Sequence, residues 1–226
     1  MSFGVQNDWF GLSDTNYRTI SSGKEPFATN AQALDSNGDV SCETVFDTGY
    51  VYRQTLRLAT GTTVNLDTIC KVGDLLTGDT SELIVTNLTV STSNTERPTL
   101  EVTGEKYYGD SADVNTYSSS LSITLNKTAQ ALGMSADTGS ALTACRATIS
   151  SQIAKAQDSA GQTVAMDVYQ GRIECQGELT SCASTPGASA DTSNGYAEMQ
   201  PVSLSEDNTG YETATYSTYQ NLSPDT

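Results

Sequence analysis

The sequence contains no histidine, and this absence removes several kinds of chemistry at once. Histidine is the usual general base in Ser-His and Cys-His catalysis and the commonest protein ligand of transition metals. The five cysteines do not replace it, because their number is odd, their spacing is wide and no CxxC pair occurs. Glycine-rich phosphate loops and the ligand spacing of a calcium loop are also missing. We therefore predict no catalytic residues, no metal site and no cofactor, and we expect that the protein is not an enzyme.

Basic residues are scarce. The chain has 11 Lys+Arg against 27 Asp+Glu, and its formal net charge is -16. A protein this acidic repels nucleic acid at ordinary salt, which argues against a nucleic-acid reader. Two interpretations of the acidity stay open, namely simple solubility and a surface that must not adhere to a polyanion.

Long hydrophobic runs are absent as well. The N-terminus has no basic segment followed by an apolar run, as a secretory signal would have. No stretch approaches the ~18 apolar residues of a membrane span. The sequence therefore predicts a soluble protein that is made in the cytoplasm and has no membrane partner.

What the sequence does contain is period-two alternation, and the segment YQGRIECQGELTSC (169–182) displays it most clearly. Ile173, Cys175 and Leu179 are apolar, while the residues directly beside them are mostly polar or charged. Such alternation is typical of a β-strand with one buried and one solvated face. It predicts that Cys175 is a buried free thiol that serves packing. Cys145 lies on the apolar phase of another predicted strand and receives the same interpretation.

Similar segments recur along most of the chain, separated by turn sequences. Asn37-Gly38 is a strong hairpin signal, DTG at 47–49 indicates a second turn, and residues 142–180 predict a meander of three strands. Residues 126–139 are the best helix candidate, because Ala and Leu are good helix formers and Gly133 can end the helix. The predicted fold is mainly β, an antiparallel β-sandwich or barrel with one or two short helices and extended terminal arms.

We divide the chain into an N-terminal arm at 1–28 and a single β-domain at 29–226. The N-terminal arm carries Trp9 and Phe10 among small and polar residues. These aromatic side chains suit either anchors on a neighbouring subunit or residues that close one end of the core. The Ser, Gly and Ala content of residues 180–195 predicts a flexible loop.

A C-terminal hairpin completes the predicted domain, and its last strand is polar on both faces. It carries Tyr211, Tyr216 and Tyr219 with Ser and Thr between them. A strand without an apolar face does not suit the core of a monomer, and it does suit an edge that pairs with a neighbour. We therefore predict a homo-oligomer in which these tyrosines, with Trp9 and Phe10, are inter-subunit anchors.

The layout of residues 30–220 resembles the tail tube subunits of long-tailed bacteriophages. Three segments carry this resemblance: NGDVSCETVFDTGYVYRQTLRL, NKTAQALG and DSAGQTVAMDVYQGRIECQGELT. Membership of this group of virion structural proteins would imply a β-sandwich or barrel protomer that forms hexameric rings. The rings would stack into a hollow tube in the virion, contact other virion proteins and conduct DNA without binding it specifically.

On that resemblance, the solvated face of the strand at 169–182 lines the channel through Glu174 and Glu178, whose carboxylates would repel the passing polyanion. The alternative is that both residues lie on a plain outer surface. Two other functions stay open. One is a capsid decoration or fibre-type β-module that binds a carbohydrate or receptor. The other is a glycoside-type enzyme, because two carboxylates can meet from distant segments of a fold.

Overall fold

The structure is a computed structural model, and it describes residues 7–14, 17–58, 63–78, 82–109, 114–124, 128–181, 185–206 and 212–225. Within these residues the chain forms thirteen strands and two single-turn 3-10 helices, at Leu66–Thr68 and Thr192–Asn194. The strands are β1 (Tyr17–Leu34), β2 (Val40–Leu58), β3 (Thr63–Asn65), β4 (Leu75–Leu76), β5 (Leu83–Ser93), β6 (Thr99–Lys106), β7 (Ser122–Thr124), β8 (Met134–Ala136), β9 (Ala141–Gln157), β10 (Thr163–Ser181), β11 (Ala188–Ala190), β12 (Gln200–Glu206) and β13 (Glu212–Asn221).

Most of these strands form one antiparallel sheet. Its order is β1-β2-β6-β5-β9-β10-β13-β12, and β4 pairs with one end of β5. β3 and β7 form a separate two-stranded sheet, and β8 and β11 form another. This arrangement confirms the predicted mainly β, antiparallel and sandwich-like fold.

The alternation of residues 169–182 defines the two faces of the main sheet. In β10, Ile173, Cys175 and Leu179 are at most 1% exposed. The residues between them, from Arg172 to Glu178, are exposed apart from the glycine at 177. Neighbouring strands contribute further buried side chains on the same face: Leu56, Leu88, Val90, Leu100, Val102, Ala147 and Ile149. The core therefore lies on one side of the main sheet, and the other side is polar.

The small sheets and the loops between them form the second layer over this core. Tyr117 lies on Gly171 and Met134 lies on Gly177, and neither glycine has room for a Cβ atom. Both glycines belong to the buried phase of β10. They let the second layer pack directly against the backbone of the strand, which is a close approach that no other residue type permits.

β2 runs without interruption through residues 47–49, so the predicted turn there is wrong. Asp47 has a φ of 48°, and the pairing of β1 with β2 shifts its register between Phe27 and Thr29. These features mark a β-bulge. The backbone N–H of Asp47 donates a hydrogen bond of 3.0 Å to the carbonyl oxygen of Gly161, which fixes the bulge. Asp and Gly favour bulges and turns for the same conformational reason, so the sequence does not separate the two.

Residues 142–180 form two long strands, not the three predicted. β9 and β10 pair along most of their length. β10 continues through Gln170, whose φ of 55° lies at a shift in the pairing register. This bulge moves the apolar phase from even positions such as Val168 to odd positions such as Ile173. One strand therefore looks like two in the sequence.

The helix predicted at 126–139 is absent from its described part, residues 128–139. Met134 begins the short strand β8, which pairs with β11. Leu132 and Met134 are both buried in the core at a spacing of two residues. Burial of these side chains outweighs the helix propensity of Ala and Leu, because propensity is a weak preference that tertiary packing overrides.

The boundary predicted at residue 28 falls inside β1. Together β1 and β2 form a long hairpin whose loop contains the predicted turn Asn37-Gly38. Leu34 and Val40 are register partners, so the loop spans residues 35–39 and is longer than a two-residue turn. The Asp35 carboxylate accepts hydrogen bonds from the backbone N–H groups of Asn37 and Asp39. At the opposite edge of the sheet, β12 and β13 form the C-terminal hairpin. The described part of the loop predicted at 180–195 contains the end of β10, β11 and the second 3-10 helix.

The tip of the β9–β10 hairpin is fastened to β2 and β6 by four polar residues, Asp47, Glu105, Lys155 and Thr163, which we call the clasp. Lys155 Nζ lies 2.8 Å from Glu105 Oε2 and 3.8 Å from Asp47 Oδ2. Thr163 Oγ1 donates to Asp47 Oδ1 at 2.6 Å. The Lys155 ammonium also lies 4.6 Å from the centre of the Phe27 ring. The clasp therefore joins parts of the sheet that are distant in sequence and closes one end of the fold.

We expect Lys155→Met to lower the free energy of unfolding by about 1–3 kcal/mol, because two partly buried carboxylates lose their cation. Arg53→Met is the matched control. The Arg53–Glu25 pair is 3.5 Å long and more than half exposed, so its loss should cost less than about 0.5 kcal/mol. Urea unfolding of both variants measures the difference. Equal effects would contradict a structural role for the clasp.

Candidate functional site

The outer part of the β1–β2 hairpin, residues 28–45, projects from the body of the protein. We call it the arm, and it is a different segment from the N-terminal arm predicted at 1–28. Every residue of the arm is exposed. Three of them are large apolar residues: Leu34, Val40 and Val45 are 62%, 52% and 52% exposed. A two-stranded hairpin with no third strand or apolar support is marginally stable in water. The arm is therefore a surface that finds no support within the described part of the chain.

The exposure of the arm was not predicted from the sequence, because residues 29–45 were placed within the single β-domain. A signal was present, because residues 28–34 (ATNAQAL) show no sustained apolar alternation. The same two-sided character predicted that the C-terminal strand is an edge, and that prediction is wrong. β13 lies between β10 and β12 with Ala214 and Thr218 buried, and the edge strand is β12. In the arm, the strong Asn37-Gly38 turn predicted the hairpin but not whether its faces are buried.

Among the residues that the structure describes, the main sheet ends in two unpaired edges, β1 and β12. β12 is exposed along its whole length, including Val202 and Leu204 at 54% and 57%. The inner part of β1 carries Lys24, Glu25 and Pro26, which are residue types that prevent a sheet edge from adding strands. Residues 28–34 contain no charge and no proline. On β1, the part of the edge that is open to strand addition therefore lies in the arm.

The solvated side of the main sheet, here called the polar face, is a regular grid of side chains. Three rows of register partners cross it from β2 to β13. The first row is Thr55, Glu101, Thr89, Thr148, Glu174 and Tyr219; the second is Arg57, Thr99, Ser91, Arg146, Gln176 and Ser217; the third is Arg53, Thr103, Asn87, Ser150, Arg172 and Asn221. Hydroxyl and amide groups predominate, and charged groups stand singly among them.

Glu174 and Glu178 lie on the polar face, exposed as the alternation predicted. They do not make this face acidic. Glu174 Oε1 lies 3.1 Å from Arg172 Nε, and Arg146 is the register partner of Gln176 between the two glutamates. With Glu178 included, the three rows hold four arginines and three glutamates. The net negative charge of the chain therefore resides elsewhere, and the expectation of an acidic wall on this strand does not describe the face as a whole.

Phe10 lies in the core of its own chain, where it is 1% exposed. Its backbone N–H donates to Gln54 Oε1 at 3.3 Å, and Gln54 Nε2 donates to Asp8 Oδ1 at 2.7 Å. Trp9 packs edge-to-face on Tyr52 with ring centres 5.5 Å apart. The segment around Phe10 is thus a plug that closes one end of the core, which is the second of the two interpretations drawn from the sequence. Gln54 was missed, although a glutamine on the apolar phase of a strand is a usable signal.

The predicted tyrosine anchors lie in different surroundings. Tyr216 is half-buried, and its hydroxyl donates to the Pro186 carbonyl oxygen at 2.8 Å. Tyr219 belongs to the polar face, and the Arg172 guanidinium lies 4.2 Å from its ring centre. Tyr211 lies outside the described residues. The two described tyrosines, Tyr216 and Tyr219, therefore do not meet in one site.

Three cysteines are buried free thiols, as predicted for Cys145 and Cys175; the third is Cys70. Burial raises the pKa of Cys175 to about 12 and that of Cys145 to about 11, so both remain protonated at neutral pH. Cys182 lies outside the described residues. Among the residues that the structure describes, no three His, Cys, Asp or Glu side chains are grouped so as to hold a metal ion. No helix in the described ranges is long and apolar enough to cross a membrane.

No protein-family model matches the chain, and no curated protein matches it significantly.

The plug gives a prediction about acidity. Burial acts to raise the pKa of Asp8, but the Ser13 and Leu12 backbone N–H groups and the Gln54 amide donate to its carboxylate, and their net effect lowers the pKa. The carboxylate therefore stabilises the plug fully above the ordinary aspartate pKa of about 3.9. This contribution is lost as the pH falls below that value through the folded-state pKa.

Trp9 is the chain's single tryptophan, so its fluorescence reports on the plug. We expect a red shift of its emission in Asp8→Asn at neutral pH, and in the natural protein only below about pH 4. Asp39→Asn, at an exposed loop position, is the control and should leave the neutral spectrum unchanged. An Asp8→Asn spectrum identical to that of the natural protein would contradict the role of the carboxylate.

Proposed function

We propose that the chain is a self-assembling virion structural protein, the subunit of a bacteriophage tail tube. The observation that carries this proposal is the arm, because its residues are exposed on both sides of a ribbon too thin to be stable alone. Nothing in the described part of the chain covers its apolar side chains or its unpaired edge, and a neighbouring chain would bury them. A protein whose fold is completed by its neighbours suits a large assembly better than a solitary enzyme.

The sheet edges support the same proposal. β1 and β12 are different surfaces, so a contact that joins one to the other on the next copy is heterologous. Heterologous contacts generate closed rings or open filaments, according to the rotation between neighbours. Hexameric rings stacked into a tube combine the two. This ring number comes from the resemblance to tail tube subunits and not from the geometry of the chain.

The polar face suits the wall of a channel that conducts DNA. Its hydroxyl and amide groups offer little net charge, and Glu174 lies against an arginine that could otherwise bind phosphate. On this proposal Glu174 and Glu178 serve to balance the arginines of the wall. This differs from the strongly repulsive wall that the sequence suggested.

Removal of the arm tests assembly. Asn30 and Val45 are register partners, so replacing residues 31–44 by Asn-Gly should close a shorter hairpin. The clasp and the plug remain intact in this variant. We therefore expect a folded monomer with an unchanged urea midpoint but no large species in sedimentation velocity, where the natural protein gives assemblies. Equal assembly of both proteins would contradict the proposal that the arm is a joint.

Reversal of the wall charge tests the channel. Glu174→Lys with Glu178→Lys raises the charge of the polar face by four units per subunit and touches no buried residue. Assemblies of this variant should retain duplex DNA at low salt and release it as salt rises, whereas natural assemblies should not retain it. Glu82→Lys with Glu198→Lys makes the same change at exposed positions outside the face. Equal DNA retention by the two variants would place the channel elsewhere.

A further inference from the structure

The charges of the β1–β2 ribbon are separated along its length. The arm carries Asp35, Asp39 and Glu43 and no basic residue, a net charge of -3. The opposite end, residues 17–25 with 50–58, carries the bases Arg18, Lys24, Arg53 and Arg57 against the single acid Glu25, a net charge of +3. At about 3.4 Å per residue, Arg18 and Asp35 are roughly 55 Å apart along the strand. We call the basic end the base of the ribbon.

Arg18 and Arg57 form the unusual part of the base. They are direct register partners in neighbouring strands, a position where like charges destabilise a sheet. Both side chains are exposed, and within the described ranges neither forms an ion pair. In a chain with 27 acidic residues, two adjacent arginines without a carboxylate are not explained by the isolated fold.

The apolar residues of the two ends also match. Ile20 lies two residues from Arg18 and is 39% exposed at a bulge of β1. The arm presents Leu34 and Val40 on either side of its acidic loop. Each end therefore combines exposed apolar surface with a net charge, and the two net charges have opposite signs. This is the complementarity that orients protein partners on encounter.

We propose that the arm of one copy docks on the base of the ribbon of the next copy, with Asp39 and Glu43 facing Arg18 and Arg57. This inference rests on the proposed function as an assembling subunit and specifies its partner, a second copy of the same chain. The contact is head to tail, because the acidic and basic ends belong to opposite ends of one ribbon. It supplies the arginine pair with carboxylates and covers the apolar residues of the arm.

Charge exchange tests the contact. Asp39→Lys with Glu43→Lys reverses the arm and spares Asp35, whose carboxylate holds the loop. Arg18→Glu with Arg57→Glu reverses the base. Each pair alone should raise the concentration at half-assembly by about tenfold or more, because it places like charges together. The chain that carries all four changes restores opposite charges and should assemble within about threefold of the natural protein. Glu82→Lys with Glu96→Lys is the charge-matched control and should assemble normally.

Sedimentation velocity measures each half-assembly concentration, and circular dichroism with urea unfolding verifies that every variant is folded. Assembly of the natural protein should also weaken between about 0.1 and 0.5 M salt, as screening shortens the reach of the charges. Normal assembly of either charge-reversed pair would overturn the docking, and so would failure of the folded four-change chain to recover. A natural protein that is monomeric at every concentration would instead overturn the proposed function itself, and the docking with it.

Discussion

The clasp is the contact on which the rest of the architecture depends. It holds the tip of the β9–β10 hairpin against the bulge at Asp47. On one side of this bulge β2 contributes side chains to the core, and on the other side it is exposed as part of the arm. A strand without a bulge keeps the same alternation along its whole length. The bulge breaks this continuity, and Lys155 lets the carboxylates of Asp47 and Glu105 meet there without repulsion. β2 can therefore have buried side chains at one end and be exposed on both faces at the other.

The same division explains where the charges lie. Neighbouring strands of the main sheet place arginines and glutamates singly among hydroxyl groups, so the polar face is almost neutral. Beyond the clasp, all the charged residues of the arm are acidic, and the arm contributes no side chain to the core. A chain with a net charge of -16 thus keeps a distinct basic surface at the base of its β1–β2 ribbon. Separated charge of this kind gives direction to an association, which a uniformly acidic surface would not.

Sequence reasoning succeeded where the information is local. The alternation around Ile173 and Cys175 identified the strand, its buried face and its free thiol. It failed where a bulge changes the phase, at Asp47 and Gln170, because a bulge is defined by the partner strand. The opposite charges on the polar face come from four strands, β2, β6, β9 and β10. The near-neutrality of that face therefore follows from a register that no single segment contains. The arm was not recognised for the same reason, because the exposure of its side chains depends on how the other strands are arranged around it.

Electron microscopy of the unmodified, purified protein across a range of concentrations is the most direct test of the central claim, that neighbouring copies complete this fold. We predict rings or tubes built from repeated subunits, with the mass fraction of assemblies rising with protein concentration. Single particles of monomer size at every concentration, from protein whose circular dichroism shows a folded β structure, would contradict the account.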